Sequence, residues 1–199
     1  MGKNLALGCL VAPIVGLLLC GFWAAGAYNR LDASEQGVDA AWEQVDSVYQ
    51  RRAELVPNLV ETVRGAASYE KSTMEAVVAA RASAMQVKLD ASSRKDPQAF
   101  ARFQKAQDGL SSALSRLLVT VEKDPDLKAT QKFRVLQAQL EGTENRIAVE
   151  RGRFDETVQA YNSLRKSLPT VIVASFAGFR ERPCFQAAPG SDRAPAARF

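Results

Sequence analysis

Apolar residues recur at helical spacing along most of the chain, and this pattern predicts an all-α fold. The clearest stripe lies towards the C-terminus, where large apolar residues fall seven apart at Phe133, Leu140, Ile147, Phe154, Tyr161 and Leu168. A strict heptad predicts a left-handed, coiled-coil-like crossing near +20°. A helix from about Leu127 to Leu168 would be roughly 60 Å long. It would span a whole domain.

A proline interrupts an earlier stripe, which includes Leu31, Val38, Val45 and Val56. Pro57 has no N–H and disfavours α geometry in the residue before it. Apolar spacing nevertheless continues beyond it, at Leu59, Val60 and Val63. We therefore predict a helix of about residues 29–89 that is kinked at Pro57 and Asn58, with Asn58 and Thr62 satisfying the freed backbone groups.

Polar breaks separate the remaining helices. Asp96-Pro97 is a good N-cap followed by a proline at the first helical position, and residues 122–126 form the next turn. Phe100, Phe103, Gln107 and Leu110 begin a 3-4 rhythm between these breaks. Together the segments predict an elongated antiparallel helical bundle over residues 29–168.

The N-terminal segment is predicted to be a transmembrane anchor over residues 1–28. No charged residue lies between Lys3 and Arg30. About 23 residues at roughly 1.5 Å each are enough to cross a hydrocarbon core of about 30 Å. Trp23 and Tyr28 lie where aromatic rings favour the membrane interface. We expect a single-pass protein of the cytoplasmic (inner) membrane, and Lys3 favours a bundle outside the cytoplasm.

Three alternatives to a simple anchor remain open. A signal peptide could be cleaved after Ala27, because Ala25-Gly26-Ala27 fits the A-x-A pattern. The run before Cys20 resembles a lipoprotein box, although bulky Leu19 stands where a small residue is expected. Met1-Gly2 begins like a myristoylation site, but Ala6 replaces the required Ser or Thr.

The C-terminal part divides into an apolar segment, 169–183, and a tail, 184–199. Ile172, Phe176 and Phe179 can share one face of the apolar segment. This segment either docks against the bundle or contacts a membrane or a partner. The tail is rich in Pro, Ala, Gly and Ser, and this composition predicts disorder.

Composition narrows the chemistry. The net charge is +4 and the chain has no histidine. The usual general base, Ser-His and Cys-His pairs and imidazole metal ligands are therefore excluded. No basic block is interleaved with aromatic residues, so nucleic-acid binding is not expected. No E-x-x-H pair exists for a di-iron bundle. We expect no catalytic, cofactor-binding or metal-binding residues, and no cofactor.

One polar cluster merits attention. Arg52 occupies the heptad step after Val45, and a buried arginine needs a carboxylate partner, for which Glu144 and Glu150 are the candidates. The interpretation we favour is a structural ion pair that fixes helix register. The alternatives are exposure of these side chains to solvent where the bundle splays, and a polar pocket with acid–base or cation-binding ability.

Three blocks resemble the LemA family: VDAAWEQVDSVYQRRAELVPNLVETVRGAASYE (38–70), PDLKATQKFRVLQAQL (125–140) and LEGTENRIAVERGRFDETVQAYN (140–162). The resemblance covers about residues 1–180, including the anchor and the SFAGF end. It implies a single-pass bacterial membrane protein with a helical-bundle domain, and it supplies no catalytic residues. Gly65-Ala66 stands where family members often have Gly-Tyr.

These observations favour a membrane-anchored, non-enzymatic scaffold or interaction protein of undefined biochemical role. Its partners would be the lipid membrane and either an unidentified protein or a second copy. A protein that directly remodels or organises membranes is the first alternative, suggested by analogy through the resemblance. A small enzyme or ion-binding domain built on Arg52, Glu144 and Glu150 ranks below it.

Overall fold

The computed structural model describes the backbone of residues 2–65 and 71–186 and the side chains of residues 14–65 and 71–186. The described residues form six α-helices and one short 3-10 helix, without a strand. The bounds are Gly2–Arg64 (α1), Lys71–Gln86 (α2), Ser93–Lys95 (3-10), Pro97–Val121 (α3), Pro125–Ala129 (α4), Gln131–Lys166 (α5) and Thr170–Ala177 (α6). The predicted all-α bundle is confirmed.

The four long helices alternate in direction. Arg81 of α2 reaches back to Ala53 of α1, so α2 runs antiparallel to α1. Contacts from Trp42 to Phe100 and from Arg52 to Gln107 show that α3 runs parallel to α1. The heptad helix α5 returns along both, with α1 as its main neighbour. The bundle is therefore an up-down-up-down arrangement that extends from the apolar N-terminal part of α1.

The chain reverses at a different place from the one that the sequence predicted. α1 continues through Pro57 and ends at Arg64, and α2 then folds back beside it. The single helix expected over residues 29–89 is therefore wrong, whereas the expected absence of a hairpin at Pro57 is correct. Gly65 follows the last helical residue, and glycine is a poor helix former. Folding back buries Met74 and Val77 of α2 against Val60 and Val63.

The heptad of α5 is the seam of the bundle. Its first five members are at most 4% exposed, whereas Leu168 is 83% exposed because α5 ends before it at Lys166. The helix begins at Gln131 and not near Leu127, since α4 is a separate short helix. At 1.5 Å per residue α5 is about 54 Å long, close to the predicted length.

Aspartate caps define the two proline-containing helix starts. Asp96 accepts hydrogen bonds from the backbone N–H groups of Gln98 and Ala99, and Asp124 accepts from those of Asp126 and Leu127. In both cases a proline follows at the first helical position, where its missing N–H has no cost. The predicted start of α3 is therefore confirmed.

Two apolar clusters fill the bundle. The aromatic cluster, on the side of the bundle nearer the N-terminal end of α1, contains Val38, Trp42, Val45, Tyr49, Phe100, Phe103, Ile147, Phe154, Val158 and Tyr161. The aliphatic cluster begins at Val56 and contains Leu59, Val60, Val63, Met74, Val77, Leu110, Leu114, Leu117, Phe133, Leu136 and Leu140 among others. Between Tyr49 and Val56 the core is polar, and Arg52 lies there.

Candidate functional site: a buried polar layer around Arg52

Arg52 is the largest fully buried side chain of the described bundle, with 1% of its surface exposed. It lies on α1 between the aromatic and the aliphatic clusters. An arginine at this depth needs its charge and its donors satisfied. The side chains that do this come from α3 and α5, so the layer joins three helices.

The guanidinium has partners on one short stretch of α3 and at one position of α5. Its Nη1 donates to Glu144 Oε1 at 2.8 Å and to the hydroxyl of Ser111. Its Nη2 donates to Gln107 Oε1 at 2.6 Å and to the Gln107 carbonyl at 3.1 Å. The Tyr49 ring lies 5.1 Å from the guanidinium carbon, within cation–π range. Nε has no partner among the residues that the structure describes.

Glutamine 107 extends the layer to a fourth helix. While its side-chain oxygen accepts from Arg52, its Nε2 donates to the Ala84 carbonyl of α2 at 3.4 Å. Gln107 is 6% exposed and stands in an otherwise apolar stripe of α3. The polar layer, defined here as Arg52, Gln107, Ser111 and Glu144, thus connects all four long helices at one level.

A second cation lies beside this layer. Arg151 of α5 donates to the hydroxyl of Tyr49 and, at 2.8 Å, to Asp108 of α3. Its guanidinium carbon also lies 4.5 Å from the centroid of the Phe185 ring. Burial raises the pKa of Tyr49 to about 12, even though the nearby positive charge of Arg151 lowers it. Tyr49 is therefore held as a neutral phenol that accepts a hydrogen bond.

The layer is equipped for ion pairing and hydrogen bonding. Four of its hydrogen bonds come from Arg52, a residue that is always charged and cannot act as a proton donor near neutral pH. Ser111 Oγ lies 3.4 Å from Glu144 Oε1, but no imidazole accompanies them to activate the hydroxyl. Within the described part of the chain, no three His, Cys, Asp or Glu residues cluster to hold a metal ion.

Two open clefts flank the layer. One, of about 420 Å³, lies between α1 and the α2–α3 pair and is lined by Tyr49, Arg81, Lys88, Phe103 and Gln107 among others. The other lies on the far side, where Ser111 and Glu144 reach its wall. Glu144 is 39% exposed at its side chain, so one edge of the ion pair meets solvent.

Pro57 has its own compensation close to this layer. In an α-helix the N–H of residue 57 would bond to the carbonyl of Ala53, and proline has no N–H. Arg81 of α2 donates from Nε to that carbonyl at 2.8 Å. The prediction that Asn58 and Thr62 would compensate is therefore wrong: Thr62 donates to the carbonyl of Asn58, its own i−4 residue. The freed carbonyl lies one turn earlier.

Residues 178–186, here called the C-terminal strap, lie extended along the bundle. Phe185 joins the aromatic cluster with its ring centroid 4.8 Å from that of Phe100. Gln104 and Asn162 each form a reciprocal pair of hydrogen bonds with the strap backbone, at Gln186 and Arg182 respectively. The tail predicted for 184–199 is therefore ordered and packed at 184–186, because Phe185 has an apolar site to fill; residues 187–199 lie outside the described residues.

Arg182 forms the second buried charge cluster. It is 3% exposed and its Nη2 lies 3.2 Å from Glu35 and 3.1 Å from Asp39, both on α1. Arg94 and Lys95 approach the same two carboxylates from the 3-10 helix. This cluster ties the strap to the N-terminal half of the bundle.

A comparison with protein families matches residues 41–199 to the LemA family. The chain belongs to the LemA family. The match includes α2 to α6, the strap and the part of α1 that carries Arg52 and Pro57.

Among curated proteins, this LemA-family chain is similar to magnetosome proteins. Magnetosome proteins MamQ 1 and MamQ 2 of Paramagnetospirillum magneticum are each 29% identical to it over 87 residues. Magnetosome protein MamQ of Magnetospirillum gryphiswaldense has the same identity over the same length. The matched stretch is 44% of this chain and 32% of each relative, so the chain spans about a third of the length of the curated relatives it matches.

Of the site residues that the sequence suggested for this LemA-family protein, the structure brings Arg52 and Glu144 together and leaves Glu150 out. Glu150 lies six residues beyond Glu144, on another face of α5, and it pairs with Arg153 at 2.9 Å. The sequence does not predict that Ser111 and Gln107 are hydrogen-bond partners of Arg52. Gln107 could have been found, because a polar residue in an apolar stripe indicates a buried polar contact.

Ile172, Phe176 and Phe179, which the sequence places on one apolar face, do not share one environment in the structure. Phe179 follows α6 and packs on Tyr28, with ring centroids 5.5 Å apart. Ile172 and Phe176 are 52% and 91% exposed. Gly178, with φ of 78°, separates the two groups because it turns the chain in a conformation that glycine adopts without strain.

Proposed function

We propose that this protein is a membrane-anchored, non-enzymatic scaffold that holds a protein partner, or a second copy of itself, at a fixed position relative to the membrane. The observation that carries the proposal is the continuity of α1. One helix, Gly2–Arg64, contains the N-terminal apolar run and also the core residues of the bundle. It is the helix, among those described, that is long and apolar enough to cross a membrane.

Continuity of this kind supports a positioning role. Ala27 and Leu31 are already buried, while Leu17, Leu18 and Leu19 are 66–73% exposed. The bundle thus begins within one or two turns of the apolar run, without a flexible linker between them. A helix transmits orientation along its axis, so the bundle would keep one orientation relative to the bilayer.

The polar layer supports the non-enzymatic part of the proposal. Its charged groups, Arg52 of α1 and Glu144 of α5, lie between two apolar clusters and pair with each other across helices. Such buried polar contacts fix register and partner choice among helices. A scaffold needs a single rigid surface, and a layer that joins all four long helices supplies rigidity.

Site-specific photocrosslinking in intact membranes tests the proposal. Apolar valines that are 45–57% exposed lie on three helices, at Val78 (α2), Val119 (α3), Val135 and Val149 (α5). Each would be replaced in turn by p-benzoylphenylalanine. We expect an adduct of one defined mass from one face of the bundle, in amounts comparable to the protein. Adducts of twice the monomer mass would indicate self-association. Absence of a defined adduct from all four sites would contradict the scaffold.

We further propose that the bundle lies outside the cytoplasm, on the side favoured by Lys3. Cys184 is a poor reporter of this topology, because burial raises the pKa of its thiol and the residue is half-buried. A Val149→Cys variant supplies an exposed thiol instead. A membrane-impermeant maleimide should label it in intact cells and label Cys184 more slowly. Labelling of Val149→Cys only after permeabilisation would place the bundle in the cytoplasm.

A role in organising membranes is the second candidate. The similarity to MamQ, whose name identifies it as a magnetosome protein, favours it. Deletion of the gene followed by electron microscopy of the membranes would separate the candidates. The scaffold predicts loss of the crosslinked partner from the membrane with unchanged membrane shape, whereas a membrane-organising protein predicts altered membrane shape.

A further inference from the structure

Helix α6 lies at the end of the bundle that faces the apolar part of α1. α5 runs antiparallel to α1, and its Tyr161 donates a hydrogen bond to the Arg180 carbonyl of the strap, two residues before Arg182, whose guanidinium pairs with Glu35 of α1. Lys166 ends α5 five residues later, which brings the chain level with about residue 30 of α1. α6 follows directly and packs on both α1 and α5. The chain then returns to α1 where Phe179 contacts Tyr28.

One side of this end of the protein is apolar and uncovered. Leu168, Ile172 and Phe176 are 83%, 52% and 91% exposed. The opposite side of α6 is packed, since Ala174 is 1% exposed. Ile172 and Phe176 are four residues apart on α6 and share one helix face, whereas Leu168 lies in the turn that precedes α6. α6 is therefore an apolar helix with one face seated on the bundle and one face open.

We propose that the open face of α6, formed by Ile172 and Phe176, inserts together with Leu168 of the preceding turn into the headgroup region of the lipid bilayer that α1 crosses. α6 then acts as a second membrane contact beside the anchor. The inference rests on the membrane anchoring used in the proposed function, but not on a protein partner. Lipid is the occupant because α6 packs on α1 and the chain that follows α6 contacts Tyr28, which lies at the end of the apolar run of α1.

Helix geometry places α6 at the required depth. A membrane span needs about 20 residues, so a run that begins at Leu5 ends near Ala24. Tyr28 lies four residues further, which is roughly 6 Å along the helix axis. The polar region on each side of the hydrocarbon core is about 5–8 Å thick. The Tyr28–Phe179 contact, and α6 with it, therefore lies at the boundary where interfacial helices bury their apolar faces.

Two basic side chains lie close to the Tyr28–Phe179 contact in the sequence. Arg30 follows Tyr28 on α1, and Arg180 follows Phe179 on the strap, and both are exposed. Neither forms an ion pair with a carboxylate of the described residues. Basic residues this close to a membrane surface are attracted to anionic lipid headgroups. The nearby carboxylate Glu181 is taken by Lys166 and Arg165, at 2.7 and 3.1 Å.

Fluorescence quenching by lipid tests the proposal on the full chain. Cys9, Cys20 and Cys184 would be replaced by alanine, and a nitrobenzoxadiazole probe would be attached at Phe176→Cys. The control is Val119→Cys, a similarly apolar exposed residue at the other end of the bundle, 57% exposed. Both proteins are reconstituted in vesicles of phosphatidylethanolamine and phosphatidylglycerol at a ratio of about 3:1. Doxyl groups on the lipid chains near the headgroup quench probes at that depth.

We expect a blue-shifted probe at position 176 that doxyl lipid quenches several-fold more than the probe at 119. A blue shift without quenching would show burial against protein and would overturn the proposal, as would an aqueous spectrum at 176. Ile172→Cys provides a second site if Phe176→Cys loses helix content in circular dichroism. Quenching at position 176 together with failed photocrosslinking would support the lipid contact and contradict the scaffold. The two experiments therefore test the two proposals independently.

Discussion

At the residue scale, two polar groups of α1 take their hydrogen-bond partners from other helices. Arg52 of α1 takes its partners from α3 and α5, and the carbonyl freed by Pro57 takes its donor from α2. A buried group without a partner costs about 1–3 kcal/mol. These contacts therefore select one arrangement of the helices, because a shifted helix would leave the groups unpaired.

The link between Arg81 and Pro57 gives a double-mutant prediction. Arg81→Met removes the donor to the Ala53 carbonyl and should lower the free energy of unfolding by about 1–1.5 kcal/mol. In a Pro57→Ala background the helix supplies its own N–H, so the same substitution should cost clearly less. Chemical denaturation of the four proteins in detergent measures the coupling. Equal costs in the two backgrounds would show that Arg81 does not compensate for the proline.

The buried phenol of Tyr49 predicts a loss of stability in alkali. Its pKa is raised from the ordinary 10.0 to about 12, so the unfolded chain ionises at lower pH than the folded one. The contribution of the neutral Tyr49 phenol to the free energy of unfolding is complete below pH 10 and is lost as the pH rises from 10 to about 12. The temperature of thermal unfolding should fall less steeply across this pH range in Tyr49→Phe than in the parent protein. In Tyr28→Phe, which changes an exposed tyrosine, it should fall as steeply as in the parent. Parallel slopes in all three would refute the assignment.

At the element scale, the sequence predicted helices better than it predicted the points between them. The heptad of α5 and the capped start of α3 follow from local spacing, and both are present. The reversal at Arg64 could not be found in this way, since apolar spacing continues through it and Pro57 was the more conspicuous interruption. A tertiary contact decides whether α1 ends at Pro57 or at Arg64. Arg81 of α2 donates to the carbonyl that Pro57 leaves free, so the proline is tolerated within α1.

The C-terminal strap shows the same limit of composition. Its last residues belong to a segment rich in Pro, Ala, Gly and Ser, which predicts disorder. Phe185 nevertheless has a site among Trp42, Phe100 and Phe154, contributed by three helices. That site exists only in the folded bundle, so local composition could not reveal it.

Two truncations test whether the strap is part of the core. Ending the chain after Gln186 leaves the Phe185 contacts and the Gln104 pair in place and should change stability little. Ending it after Arg182 removes them and should cost about 2–4 kcal/mol, somewhat less than the roughly 3–5 kcal/mol for a fully buried aromatic residue, because Phe185 is only partly buried. Phe185→Ala in the full chain should give most of that loss. A strap that merely rests on the bundle would give equal midpoints in urea for both truncations.

At the scale of the whole molecule, one continuous helix connects a candidate membrane span to a bundle braced by a polar layer. The sequence alone predicted the family, the all-α class and the pairing of Arg52 with a carboxylate of α5. It could not choose between Glu144 and Glu150, because that choice depends on the rotation of α5 about its axis. Nor could it show that Gln107 and Ser111 complete the layer from α3.

The central claim is that this polar layer is structural, and the most direct test is the free energy of unfolding of Glu144→Gln compared with Glu150→Gln. The account predicts a loss of about 1.5–3 kcal/mol for Glu144→Gln, because hydrogen bonds to charged groups have that value and Arg52 stays buried. Glu150→Gln, which breaks a pair within α5 with Arg153, a side chain that is 68% exposed, should change stability by about 0–0.5 kcal/mol. An unchanged or increased stability in Glu144→Gln would contradict the account and would point to a carboxylate retained for chemistry.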